Sequence, residues 1–327
     1  MNSLNNVIPN VYQTDQAKLA LIAEGGGQRG IFTAGVLDAW LAQQFNPFDL
    51  FIGTSAGSQN LASFLAGQKG YAQRLIRGVS RDRRFFQLGR GLMGKHIVDL
   101  DWYFEKATEA NRALDFNAAQ QNLAGRELLI TATNVRNRKA YFLTPSNDSE
   151  HWLALLKASS ALPFLYRQGV NLSPWTASFA DKHEHVPRES DFYIDGGLAA
   201  PLPVREAYRR GAEKIVVIRT VDSDFATQAA WLEKIRSFVN VSGYFPKTVD
   251  YLLQHEQAYQ DELDFIANPP SDVEIIQVFA EDKLQSKLLG SANHELRNDY
   301  KLGLTAGEAF LAEQAKQLNT APYREIA

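Results

Sequence analysis

The chain of 327 residues has no cysteine, two methionines and only six histidines. Without cysteine there is no disulfide, no Cys-ligated zinc and no thiol nucleophile. Any histidine-based site must draw on His96, His151, His183, His185, His255 or His294. An excess of one charge is lacking as well. The 34 Lys+Arg residues against 37 Asp+Glu give a formal net charge of -3, so no global basic surface marks the chain for nucleic acid. The densest basic run, Arg74, Arg77, Arg81, Arg83 and Arg84, reads either as a local basic patch or as a solvated helix face. No apolar run approaches the length that spans a bilayer. Residues 1–16 have neither the basic start nor the apolar stretch of a signal peptide. The expected location is the cytoplasm, with any membrane contact peripheral.

Hydrophobic residues make up 45 % of the chain and charged residues 22 %, an ordinary balance for a globular protein with a sizeable core. Short apolar runs alternate with helically spaced ones. Strands are expected at 18–24, 48–53, 127–135, 139–143, 192–194, 214–220 and 273–279. Helices are expected at 31–45, 55–65, 150–161 and 204–211, through most of 66–126 with a glycine-rich break at 89–94, over 226–267 and after 279. Ile31, Ala34, Leu37, Leu41 and Phe45 share one helix face. Residues 171–191 are polar, contain Pro174 and Pro187, and read as a long surface excursion. The alternation predicts an α/β layered fold around a mostly parallel sheet. The expected organisation is a lead over 1–17, a core over 18–220, and a helical extension with one late strand over 221–327 within the same domain.

Three loops carry candidate chemistry. Gly25-Gly26-Gly27-Gln28-Arg29-Gly30 joins a strand to a helix and matches G-x-G-x-x-G. A dinucleotide site also wants an acid at the end of the next strand, but Asp49 stands at that strand's start. The same loop can converge backbone N–H groups on an oxyanion, or it can be a plain tight turn. Gly53-Thr54-Ser55-Ala56-Gly57 is G-x-S-x-G between strand and helix, the context in which a sharp turn exposes a serine hydroxyl. Asp195-Gly196-Gly197 follows a strand and reads either as a turn or as a carboxylate brought close to another backbone.

A serine nucleophile needs a base. None of the histidines sits in a loop just after a strand, where a triad histidine belongs. His255 and His294 fall inside expected helices beside glutamates and read as surface residues. His183-Glu184-His185 could suggest a metal, yet in a polar loop it reads as solvent-exposed.

Together and in this order, the three motifs resemble the patatin-like phospholipase family, which carries a glycine-rich oxyanion loop, G-x-S-x-G and D-G-G or D-G-A. Ala158-Ser159-Ser160-Ala161-Leu162-Pro163 also resembles that family's A-S-x-A-x-P block. The resemblance covers roughly residues 18–220. It implies a three-layer α/β/α fold and a serine acyl hydrolase without metal or cofactor. Ser55 would be the nucleophile and Asp195 its base, with Gly53 and Gly57 shaping the elbow and Gly196 and Gly197 completing the aspartate motif. The loop of Gly25, Gly26, Gly27, Arg29 and Gly30 would form the oxyanion hole, its donors the N–H groups of Gly26 and Gly27, with Ala56 as a further candidate. Arg29 either positions that loop, meets a phosphate, or is a surface residue. The implied partner is a lipid or other acyl ester, not nucleic acid. The run 161–166 either lines an acyl groove covered by 171–191 or belongs to the core. Two rivals stand beside this reading: a histidine-dependent esterase, and a silent lipid- or protein-binding module on the same fold.

Overall fold

The computed structural model describes residues 17–109, 113–166, 169–178, 192–221 and 246–320. In chain order, β1 (Leu19–Ala23) leads through the glycine loop and one 3-10 turn (Gly27–Arg29) into α1 (Gly30–Ala42). Then come β2 (Leu50–Thr54), α2 (Ala56–Leu65), α3 (Tyr71–Arg77), α4 (Leu88–Leu92), α5 (Leu100–Ala107) and α6 (Phe116–Leu123). β3 (Glu127–Asn134) and β4 (Ala140–Leu143) form a hairpin before α7 (Ser149–Ser159), β5 (Val170–Asn171) and β6 (Phe192–Asp195). α8 (Val204–Arg209), β7 (Lys214–Ile218), α9 (Pro246–Ala267), β8 (Glu274–Val278) and α10 (Asn293–Thr320) complete the described fold.

The strands form one sheet in the order β5-β6-β3-β2-β1-β7-β8, with β4 also on β3. The five strands from β8 to β3 are parallel, and β4, β5 and β6 add antiparallel pairs at one side. This is the layered α/β fold with a mostly parallel sheet. Strand side chains alternate faces, and both faces are covered. Leu21, Ala23, Phe51, Val216 and Ile218 pack into one core with α1, α2 and α5 to α7. Ala20, Ile22, Leu50, Ile52, Ile215 and Val217 pack into a second core with residues of α8 and α9. β1, buried along nearly its whole length between the two, is therefore an unbroken apolar run.

Some expected elements differ. α1 is not amphipathic: it is buried all round from Gly30 to Trp40. α10 lies across its outer side so closely that a Cβ on Gly303 would stand 2.1 Å from the Phe32 carbonyl oxygen, and Trp40 Nε1–H donates to the Gly307 carbonyl at 3.2 Å. The glycine-rich break at 89–94 is instead a one-turn helix, α4, containing Gly89 and Gly91. The excursion from 171 begins with β5 and a helical turn (Ser173–Ser178). Its remainder over 179–191, with His183 and His185, lies outside the described residues, as do residues 1–16 and the first part of the helix expected from 226.

Candidate active site

The site is assembled at the C-terminal ends of β1, β2 and β6. β4 occupies one edge of β3 across residues 130–133, so β2 and β6 share the other. There β2 ends with Thr54 opposite Thr131, and the antiparallel β6 ends with Asp195 opposite Ala132. Two strand ends thus point at each other, and the residues that leave them meet. Ser55 Oγ donates a hydrogen bond of 2.8 Å to Asp195 Oδ2.

Each side of this contact is held by its local sequence. Ser55 adopts φ 54° and ψ -122°, a conformation disfavoured for a side-chain-bearing residue and typical of strained functional turns. The turn closes only because Gly53 and Gly57 lack Cβ atoms. One on Gly53 would stand 2.6 Å from Ser58 Cα, and one on Gly57 2.1 Å from the Ala23 carbonyl oxygen. The Ser55 N–H donates to Ser159 Oγ at 2.9 Å. The Asp195 N–H donates to the Ala161 carbonyl at 3.0 Å. The block at 158–163 therefore ties serine and aspartate backbones to one another, a role that its sequence did not disclose.

Asp195 is 3 % exposed. Its Oδ1 accepts the Gly197 N–H at 2.7 Å, leaving Oδ2 for the serine. Burial disfavours the charged form and pushes its pKa up to about 7, against the stabilising Gly197 N–H and Ser55 hydroxyl. Gly196 is required beside Thr131, whose Oγ1 would lie 2.1 Å from a Cβ there. Thr133 Oγ1–H donates to the Asp195 carbonyl at 2.8 Å and fixes the strand end.

The glycine loop lies against the serine: a Cβ on Gly25 would be 3.4 Å from Ser55 Cβ. Gly26 (φ 143°) and Gly27 (φ 57°) take conformations open mainly to glycine. The N–H groups of Gly25, Gly26 and Gly27 have no hydrogen-bond partner among the described residues. Gly30 differs, because its N–H bonds the carbonyls of Gly27 and Gln28. Gly30 instead lets α1 meet α2, where Asn60 Nδ2–H donates to its carbonyl at 2.9 Å. Arg29 lies beside Gly26, and its buried Nε has no partner among the described residues. It bears on the titration of Glu24 and His255.

The C-terminal segment supports the loop from behind. The Gln28 N–H donates to the Leu288 carbonyl at 2.9 Å, and the Ser291 N–H donates to Gln28 Oε1 at 2.8 Å. The buried Glu24 accepts the Thr220 N–H at 2.6 Å and the Tyr259 hydroxyl at 2.8 Å. His255 is not the surface residue expected. Its Nδ1 lies 2.5 Å from the Gly197 carbonyl oxygen. A carbonyl only accepts, so Nδ1 carries the proton. Burial lowers the pKa of this histidine and favours the neutral ring. No described histidine hydrogen-bonds Ser55 or Asp195: His151 faces Ser146 and Trp175, and His96 stacks on Tyr166.

An apolar cavity of about 810 Å³, counting its open mouth, begins at Ser55 and Gly27. Leu75, Ile76, Phe85 and Val98 form one part of its wall, and Leu162, Leu165 and Tyr166 another. Leu288 and Leu289 close it from the C-terminal segment. Part of the 161–166 run therefore lines the cavity, while Ala161 is wholly buried. The dinucleotide alternative finds no support in the geometry. Asp49 sits at the far end of β2 from the glycine loop, where its Oδ2 accepts the Leu19 N–H at 2.9 Å. Among the described residues no His, Asp and Glu cluster could hold a metal ion, and no helix is long and apolar enough to cross a membrane.

Residues 21–208 match the family described as patatin-like phospholipase, and residues 245–319 match a domain of unknown function, DUF6363. A relative in Escherichia coli (strain K12), "Uncharacterized protein YjjU", is 38 % identical over 318 residues, covering 97 % of this chain and 84 % of its own. Among solved structures, VipD from Legionella pneumophila is similar with TM-score 0.44 and 13 % identity, over 91 % of this chain and 67 % of its own. Human GIVD cytosolic phospholipase A2 gives TM-score 0.45 and 11 % identity, over 90 % of this chain. The present chain spans 59 % of that human chain. With the family match running through more than half of its length, the chain belongs to the patatin-like phospholipase family.

Proposed function

We propose that this protein hydrolyses lipid acyl esters with Ser55 as nucleophile and Asp195 as its base. The observation that carries the reading is the 2.8 Å hydrogen bond from Ser55 Oγ to a buried carboxylate, at the mouth of an apolar cavity. Asp195 Oδ2 takes the hydroxyl proton as Ser55 Oγ attacks the ester carbonyl. The carbonyl oxygen becomes an oxyanion, for which the unbonded N–H groups of Gly26 and Gly27 and the first N–H of α2, at Ala56, are the candidate donors. The Ser55 N–H is not among them, since Ser159 holds it. Collapse of the intermediate breaks the ester C–O bond, and the proton on Asp195 passes to the departing alkoxide. Water, deprotonated by the same carboxylate, then attacks the acyl-serine; the acyl–Oγ bond breaks, Asp195 returns the proton to Ser55 Oγ, and the fatty acid leaves.

The acyl chain would occupy the cavity walled by Leu75, Leu162, Leu165 and Leu288. Each buried methylene contributes roughly 0.8 kcal/mol, so four further carbons raise kcat/KM by up to about two orders of magnitude until the cavity is full. The test is kcat/KM for monomeric p-nitrophenyl esters from acetate to laurate, with Ser55→Ala as control. The expected result is a rise with chain length, and a loss on the order of a thousandfold in Ser55→Ala. A peak at acetate removes the acyl-chain reading, and near-normal turnover in folded Ser55→Ala removes the nucleophile.

A further inference from the structure

We propose that the arm formed by residues 82–98 docks the protein on an anionic lipid surface, with Leu88 and Met93 entering the headgroup region. The proposal rests on the lipid ester reading and adds the surface from which substrate is drawn.

The arm is a closed, rooted structure. At its base the Gln87 N–H donates to the Ile97 carbonyl at 2.9 Å, the Asp99 N–H donates to the Phe85 carbonyl at 2.8 Å, and Phe86 pairs with Val98. The Ile97 and Val98 N–H groups both donate to the Leu165 carbonyl, at 2.9 and 3.0 Å. Phe85, Val98 and Leu165 line the cavity that begins at Ser55. The arm thus continues the cavity wall outward, and α4 forms its tip.

On that tip Leu88 is 69 % and Met93 72 % exposed, more than any other large apolar side chain among the described residues. Leu88 opens this one-turn helix and Met93 caps its end, and a Cβ on Gly89 between them would meet nothing within 4 Å. The surrounding charge is mainly positive: residues 81–95 hold Arg81, Arg83, Arg84, Arg90 and Lys95 against Asp82, with Arg90 facing Asp99 at 3.6 Å. Arg83, Arg84 and Lys95 are exposed and form no ion pair among the described residues. Apolar insertion plus a basic cluster is the pair of signals that holds a protein reversibly at an anionic leaflet. A nucleic acid would use the cations but not Leu88 and Met93. The chain's overall charge of -3 makes this local excess the more distinct.

The experiment is co-sedimentation of full-length protein with vesicles of phosphatidylcholine alone and of an equal phosphatidylcholine–phosphatidylglycerol mixture. It is done on a Ser55→Ala background so that vesicles stay intact. The protein is expected to bind the mixed vesicles, with release at high salt. Leu88→Glu with Met93→Glu should weaken that binding on the order of tenfold or more. Arg83→Gln with Arg84→Gln should weaken it roughly fivefold per charge removed. With Ser55 intact, both double variants should hydrolyse soluble p-nitrophenyl butyrate as the parent does, since none of the four side chains lines the cavity. Equal binding of parent and variants, or no preference for anionic vesicles, overturns the proposal. So does a parent dimer that the Leu88 and Met93 changes dissociate without altering vesicle binding. Vesicle binding is read without hydrolysis and soluble-ester turnover without vesicles, so failure of the docking surface and failure of the catalytic reading are distinguished.

Discussion

Asp195 is asked to be buried, hydrogen-bonded to Ser55 and still able to take a proton. Removal from water raises its pKa to about 7, which makes it a far better base than an exposed carboxylate. The consequence for activity is directional: kcat/KM on a soluble ester should rise with slope one as pH increases to about 7, then level off. The consequence for stability is opposite. Between the unfolded carboxyl value of about 4 and the folded value of about 7, the native state holds a proton that the unfolded chain has lost. Stability from this group is therefore present at low pH and lost as pH rises through about 7, a cost on the order of a few kcal/mol. Asn at 195 matches the geometry, its Oδ1 accepting from Gly197 and its Nδ2 donating to Ser55 Oγ, but it carries no charge. Asp195→Asn should nearly abolish hydrolysis while raising the melting temperature at pH 8, and the gain should shrink at pH 5. Thermal melts at the two pH values check this; a variant less stable than the parent at pH 8 would show that burial does not tax the carboxylate.

Helix α9 brings a residue to the site that no motif announced. Gly197 is gripped from both sides, its N–H donating to Asp195 and its carbonyl accepting from His255. In the proposed mechanism His255 is a positioning residue, holding the peptide that holds Asp195. His255→Ala should lower kcat by ten- to a hundredfold with little change in KM. His255→Asn, whose amide can still donate to Gly197, should recover much of the loss. Equal effects of Ala and Asn, or a change confined to KM, would contradict this role. The sequence could not show it: the residue lies 58 positions from Gly197, and its neighbour Glu256 gave the stretch a solvent-exposed look. The glycine loop, the serine elbow and the aspartate turn were legible because each is set by short-range chemistry after a strand. The end-to-end meeting of β2 and β6 was not, since it depends on antiparallel β6 sharing an edge of β3 with parallel β2. α1 misled for a related reason: α10, more than two hundred residues away in sequence, covers the face that a surface helix would show to water.

Across the whole molecule, both halves of the chain converge on one apparatus. The N-terminal half brings the glycine loop and the serine, β6 the aspartate, and the region after residue 245 the Leu288 carbonyl, His255 and part of the cavity wall. β8 pairs with β7 in the same sheet, and Tyr300 donates its hydroxyl to Asp38 of α1 at 2.8 Å. The alternation of strands and helices conveyed the layered architecture from sequence, but not how far its last hundred residues reach into the site. The central claim is that Ser55, activated by Asp195, is the nucleophile. Its most direct measurement is intact-mass and peptide mapping after treatment with an alkyl fluorophosphonate at pH 8. The account predicts a single adduct on Ser55, absent from Ser55→Ala and formed at least a hundredfold more slowly in Asp195→Asn. An adduct on any other residue, or equal labelling of parent and Asp195→Asn, would contradict it.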